Sequence, residues 1–195
     1  MIRLQKTVAW CSAITYDQGH VINQYHGTLK LHTGTEDQTQ QTLAYERLKW
    51  WIQNVLDHSV LINHDDPMLQ TYGQTRQRVL AMPDDPVDHL LCMVLYLKFN
   101  AIMEGRLTLA ELELSSEQGD HMAYVHSNDH DGAIADDHGW WIDPAPVWYD
   151  DNHVPAQGKV VELNRKFSWE DLDLGWNQTA TDQAATVLFP DFQRR

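Results

Sequence analysis

The sequence predicts an α+β fold in the order β-β-α-α-β-β, each half a hairpin beside a helix. Three observations predict it. Residues 7–32 read as two strands joined by a turn, two segments between 43 and 104 carry helical apolar stripes, and residues 106–126 read as a second strand pair. The stretch TVAWCSAITY is rich in β-branched and aromatic residues, DQGH supplies turn formers, and VINQYHGTLKLH returns. Side chains alternate along a strand, so Leu29 and Leu31 share one face, while His26, Thr28, Lys30 and His32 share the other.

TGTEDQTQQT is a polar connection that can start a helix. Leu48, Trp51, Ile52, Val55 and Leu56 then follow i, i+3, i+4, i+7, i+8 spacing, which predicts an amphipathic helix over 43–56 closed off by NHDDP. Residues 68–82 give no clear period. A second helix is expected from Asp85, a capping residue, with Pro86 in its first turn and Gly105 as its stop. Its apolar band is broad, which predicts deep burial. RLTLAELELSS reads as a strand, EQGD as a turn and HMAYVH as a short return. The strand changes phase near Ala110: Leu107 and Leu109 fall on the parity of Glu111 and Glu113, opposite to Leu112 and Leu114.

Beyond Ser127 the composition shifts to Asp, His, Trp, Pro and Gly. The expected organisation is a domain over 1–127 and an irregular, acidic, Trp-rich extension over 128–195 packed on it, since exposed tryptophans are costly. KVVELNRKF is read as a further strand and SWEDLDLGW as a short helix capped by Ser168.

The net charge of −14, from 28 acidic and 14 basic residues, argues against nucleic-acid binding and against docking on anionic membranes. The longest apolar run, Leu90–Leu97, is too short to span a bilayer, and MIRLQKTVAW lacks the apolar stretch of a signal peptide. Cys11 and Cys92 lie in apolar runs and read as buried thiols. The expected location is the cytoplasm.

The stretch YERLKWWIQNVLDHSVLINHDDP, with Tyr45, Leu48-Lys49 and Leu56-Asp57-His58, resembles the first helix of the 6-pyruvoyl-tetrahydropterin synthase and 6-carboxy-tetrahydropterin synthase family. PDDPVDHLLCMVLYL resembles that family's second helix, and LAELELSSEQGDHMAY its closing hairpin. The resemblance covers about residues 7–126. It implies a tunnelling fold, a four-stranded antiparallel sheet with two helices on one face, in which sheets of several copies pair edge to edge into a barrel and sites lie between subunits. It also implies that Asp57 and His58 transfer protons and that Glu113 anchors the ring of a pterin or purine-like ligand, as a lyase of this type requires. Glu111, on the same face, is the other candidate anchor.

One departure stands out. The family holds zinc with three histidines, and here Ile14, Ile22 and Gln24 fall at those positions. No metal site is therefore expected, and zinc enters only if the first hairpin is aligned in another register. His20, His26 and His32 are too widely spaced along strands for one ion, and the later run His126, Asp129, His130, Asp131, Asp136, Asp137, His138 and His153 has no tight ligand spacing. Two functional classes stay open. One is a pterin- or purine-binding homo-oligomer with lyase chemistry. The other is a non-catalytic relative that binds a protein partner through its extension. Asp57-His58 and Glu113 favour the first, and the missing histidines favour the second.

Overall fold

The computed structural model describes residues 3–16, 19–72, 77–127, 139–146 and 168–176. Its centre is a mixed sheet of six strands in the order β4-β3-β1-β2-β5-β6. The strands are β1 (Arg3–Tyr16), β2 (Gly19–Thr33), β3 (Val60–Asn63), β4 (Val79–Met82), β5 (Leu107–Ser116) and β6 (Tyr124–Ser127). The helices are α1 (Gln38–Trp51), the short α2 (Met68–Tyr72) and α3 (Asp88–Met103). The four strands expected from sequence, β1, β2, β5 and β6, pair antiparallel in that order.

The expectation of a purely antiparallel, four-stranded sheet is corrected by β3 and β4. Both run parallel, β3 on β1 and β4 on β3. NHDDP therefore does not close the first helix; His64 and the residues after it follow β3. The helix itself opens earlier, at Gln38, because the Asp37 carboxylate accepts hydrogen bonds from the Thr39 and Gln40 amides. It ends as a π-helical turn over Ile52–Leu56.

One face of the sheet is the core face. Along β2 the odd positions from Asn23 to Leu31 are buried, while Ile22, Gln24 and His26 on the other face are exposed. The predicted stripe of α1 and its π turn (Leu48, Trp51, Ile52, Val55, Leu56) packs there, together with Leu91, Val94, Leu95, Phe99 and Ile102 of α3. Gly27 lets Trp10 lie close: a β-carbon there would sit 3.2 Å from Val8 Cγ2 and 3.3 Å from Trp10 Cζ3.

The phase change in β5 is a bulge. Lys30 pairs with Glu111 and Leu31 with Leu109, so Ala110 is the extra residue. It turns Leu107, Leu109, Leu112 and Leu114 all onto the core face, where each is buried, and leaves Glu111 and Glu113 on the opposite one.

Asp85 does not cap α3. Its carboxylate accepts a hydrogen bond from the Asn63 amide at 2.9 Å, and the helix begins at Asp88 with Val87 in the capping position. Residues 83–87 are used instead to cross from β4 to the helix layer. At the other end Glu104 and Gly105 both have positive φ, and the helix stops there.

The tryptophans of the extension enter the same core. Trp140, Trp141 and Trp169 are buried, and Trp140 stacks on Trp51. Residues 168–176 are a series of turns, not the expected helix. The Ser168 hydroxyl does accept from the Asp171 amide, but Asp173 has a φ of 58° and ends the turn. The proposed strand over 159–167 lies outside the described residues. No helix among the described residues is long and apolar enough to cross a membrane.

Candidate functional site

Asp57 leaves the π turn in an extended conformation, its amide donating to Ile52 O at 2.8 Å. From there the chain is clipped to the edge of β1. Asp57 Oδ1 accepts from the Cys11 amide at 2.9 Å, the His58 amide donates to Cys11 O at 2.6 Å, and the Ala13 amide donates to Ser59 O at 2.9 Å. Leu56 O, one of the carbonyls a helix end leaves without a helical partner, accepts from the hydroxyls of Ser12 and Ser59. The acidic residue after the helix is thus an anchor for β1, and it starts the parallel strand β3.

His58 is carried on this anchor with a φ of 58°, in the left-handed region. Its side chain is 73% exposed, and Nε2 stands 3.6 Å from Asp57 Oδ2. The Asp57 carboxylate therefore faces two ways, one oxygen on the β1 backbone and the other towards His58. Replacing Asp57 by alanine leaves the Cys11 amide without its acceptor and is expected to cost about 1–3 kcal/mol. Asp57→Asn keeps an oxygen there and should stay within about 1 kcal/mol of wild type. Urea denaturation of the two variants checks both values; equal losses would remove the anchoring role.

Glu113 lies far from this pair within one chain. It pairs with Thr28 on β2, which pairs with Thr7 on β1, four residues from Cys11. Two strand spacings and four residues, with β3 beyond, put it on the order of 20 Å from His58. Glu113 is half-exposed and, among the described residues, has no ion-pair or side-chain hydrogen-bond partner. Glu111 on the same face is already paired with Lys30. Of the two carboxylates, Glu113 is the one without such a partner among the described residues.

Ile14, Ile22 and Gln24 do not form a ligand set. Ile22 and Gln24 lie opposite Ala13 and Cys11 on the exposed face, whereas Ile14 lies opposite Val21 on the core face. Two aliphatic side chains and an amide do not fit zinc, whose protein ligands are thiolate, imidazole or carboxylate. No group of three or more His, Cys, Asp or Glu side chains gathers among the described residues in a way that could hold a metal ion. His20 is engaged by Thr15 and by Tyr72, whose hydroxyl lies 3.0 Å from Nδ1. His126 packs edge-on against Tyr96. Asp129, His130, Asp131, Asp136, Asp137, His138 and His153 lie outside the described residues.

The two cysteines differ. Cys92 is buried, donates towards Leu112 O and Tyr124 O, and has its thiol pKa pushed up to about 12 by burial. Cys11 is half-exposed, contrary to the sequence expectation, because it lies on the open face of β1.

Sequence reasoning missed two buried basic side chains. Arg47 and Lys98 are each 1% exposed, and both meet the extension. Arg47 Nε donates to Leu174 O, and its guanidinium stacks 3.5 Å from the centre of the Trp176 ring. Lys98 Nζ donates to Asp143 O and Ala145 O. The signal available was their position among apolar residues of amphipathic helices.

No protein-family model matches the chain, and no curated protein matches it. Among solved structures, an uncharacterized protein, WS1659 from Wolinella succinogenes, aligns with 65% of this chain and 98% of its own at 14% identity and a TM-score of 0.45.

Proposed function

We propose that this chain is a pterin- or purine-like ligand-binding protein with a tunnelling-type arrangement, its copies joined sheet to sheet and its ligand held between them. The observation that carries this reading is the continuous antiparallel run β1-β2-β5-β6 with α1 and α3 packed on one face and Glu113, unpaired among the described residues, on the other. A carboxylate there can accept two hydrogen bonds from the N–H edge of a guanine-like ring. The distance between Glu113 and His58 within one chain means that a site using both needs a second copy. In such a site His58 acts on the ligand as a proton donor or acceptor, with Asp57 Oδ2 3.6 Å from its Nε2. Lyase chemistry would rest on that imidazole, since the residues at the inherited zinc positions do not fit a metal.

A second reading follows from Asp57. Because one of its oxygens is committed to the Cys11 amide, its main service is structural, as in a relative that keeps the scaffold and contacts a protein partner through the acidic extension. The experiment that separates the readings combines light scattering with calorimetric titration of pterins and guanine derivatives. The ligand reading expects an oligomer, and affinity at least tenfold weaker in Glu113→Ala and in His58→Gly. Glycine suits the left-handed backbone at position 58, so that variant should fold within about 1 kcal/mol of wild type and report on the imidazole alone. An oligomer that binds no pterin, with all three proteins alike, favours the scaffold. A monomer would remove the shared site.

A further inference from the structure

The segment from Trp140 to Ala145 is held by its main chain. Three consecutive carbonyls are each taken by a side-chain donor from elsewhere: Asp143 O at 2.6 Å and Ala145 O at 2.9 Å by Lys98 Nζ, and Pro144 O at 2.7 Å by Trp169 Nε1. Trp140 adds a hydrogen bond from its indole to Ala81 O on β4 and stacks on Trp51 of α1. The segment thus straps α3, α1 and the edge of the sheet together.

The holding group on α3 is unusual in its surroundings. The Lys98 side chain is buried, and among the described residues no carboxylate lies within ion-pair distance of it. From α1 it meets the Trp51 ring, 5.7 Å from Nζ to the centroid. From the strap it meets Asp143, the charged group that faces it, whose own Oδ1 is turned to the Ala145 amide. An ammonium carries three N–H donors and a neutral amine two. The strap offers two carbonyls, so the neutral amine satisfies both without carrying a charge into the interior.

We propose that residues 139–146 form a proton-dependent strap, docked when the Lys98 amine is neutral and loosened when it takes up a proton. Burial is the larger influence on the docked amine and pulls its pKa down to about 7, against a smaller opposing effect of Asp143. A released strap returns Lys98 to water and to its ordinary value near 10.5. Between these values the released form binds more protons, so docking strengthens as pH rises above about 7 and weakens as pH falls back towards it.

Hydrogen exchange of the 139–146 amides in the full-length protein, corrected for the intrinsic rate, tests this between pH 9 and 6. The opening constant is expected to rise roughly tenfold per unit as pH falls from 9 to 7, then to level off. Lys98→Gln keeps a neutral N–H donor and should give a flat profile. A flat wild-type profile, or the same slope in Lys98→Gln, would overturn the proposal. The wild-type protein labelled at lysine Cε gives an independent reading by NMR: one lysine should titrate near pH 7, and titration of every lysine near 10 would also overturn it.

Discussion

Replacing Trp51 by alanine is expected to lower the free energy of unfolding by about 3–5 kcal/mol. Trp51 is 1% exposed and stands where three parts of the structure meet. Its ring stacks on Trp140 of the extension at 5.8 Å, meets Phe99 of α3 edge-on at 6.0 Å, and faces the Lys98 amine. Truncation removes the apolar burial of the largest side chain and leaves a cavity that rigid neighbours on two helices cannot fill. It also takes away the surface on which Trp140 rests, so the extension should loosen with the core. Trp51→Phe, which keeps a smaller ring in place, should lose clearly less. Denaturant titration of the pair checks this, and a loss below about 1 kcal/mol for Trp51→Ala would mean that the core closes around the gap.

Arg47→Ala is expected to cost about 2–4 kcal/mol and to free residues 168–176. The guanidinium does three things at once. Nη1 pairs with Glu104 at 2.8 Å, Nε donates to Leu174 O at 2.6 Å, and the plane stacks on Trp176, which Arg106 also faces at 4.2 Å. Burial pulls the Arg47 pKa down and Glu104 opposes this. The partner Glu104 is one-third exposed, so water reaches it when Arg47 is gone, and the loss falls below that of a wholly buried pair. Arg47→Lys should recover little, because an ammonium cannot stack on Trp176 and serve the Leu174 carbonyl from the same plane. Limited proteolysis gives the local readout: cleavage within 168–176 should appear in both variants and be slow in wild type. Equal resistance in all three proteins would assign the segment's placement to Trp169 and Leu172 instead.

The candidate site divides along the same lines as these two residues. The face of Glu113 was legible because strand alternation alone puts it opposite Leu112 and Leu114; that Lys30 goes to Glu111, and that Glu113 has no partner among the described residues, is a feature of the folded sheet. Asp57 was legible as a residue at a helix end but not in its use. Its hydrogen bond joins positions 46 apart in sequence, and nothing in the spacing of LDHSVLIN indicates that Cys11 is its partner. The cap of α3 failed for a related reason. Asp85-Pro86 has the right local chemistry, but β4 pulls the preceding residues into the sheet, and Asp85 is drawn to Asn63 at the end of β3.

By itself the sequence determined what depends on local period: the faces of β2, the apolar stripe of α1, the broad buried band of α3, and the phase change that the bulge at Ala110 absorbs. These are set by side chains a few residues apart, whose positions follow from helical or strand geometry before any tertiary contact forms. The tertiary structure alone decided the four-residue strands β3 and β4, which are too short to show a period and exist only because β1 offers an edge to β3 and β3 offers one to β4. It also decided the fate of Arg47 and Lys98. Their side chains are written in the sequence, but burying these polar groups is tolerable only where distant carbonyls and aromatic faces converge on them, and that convergence is a property of the folded chain.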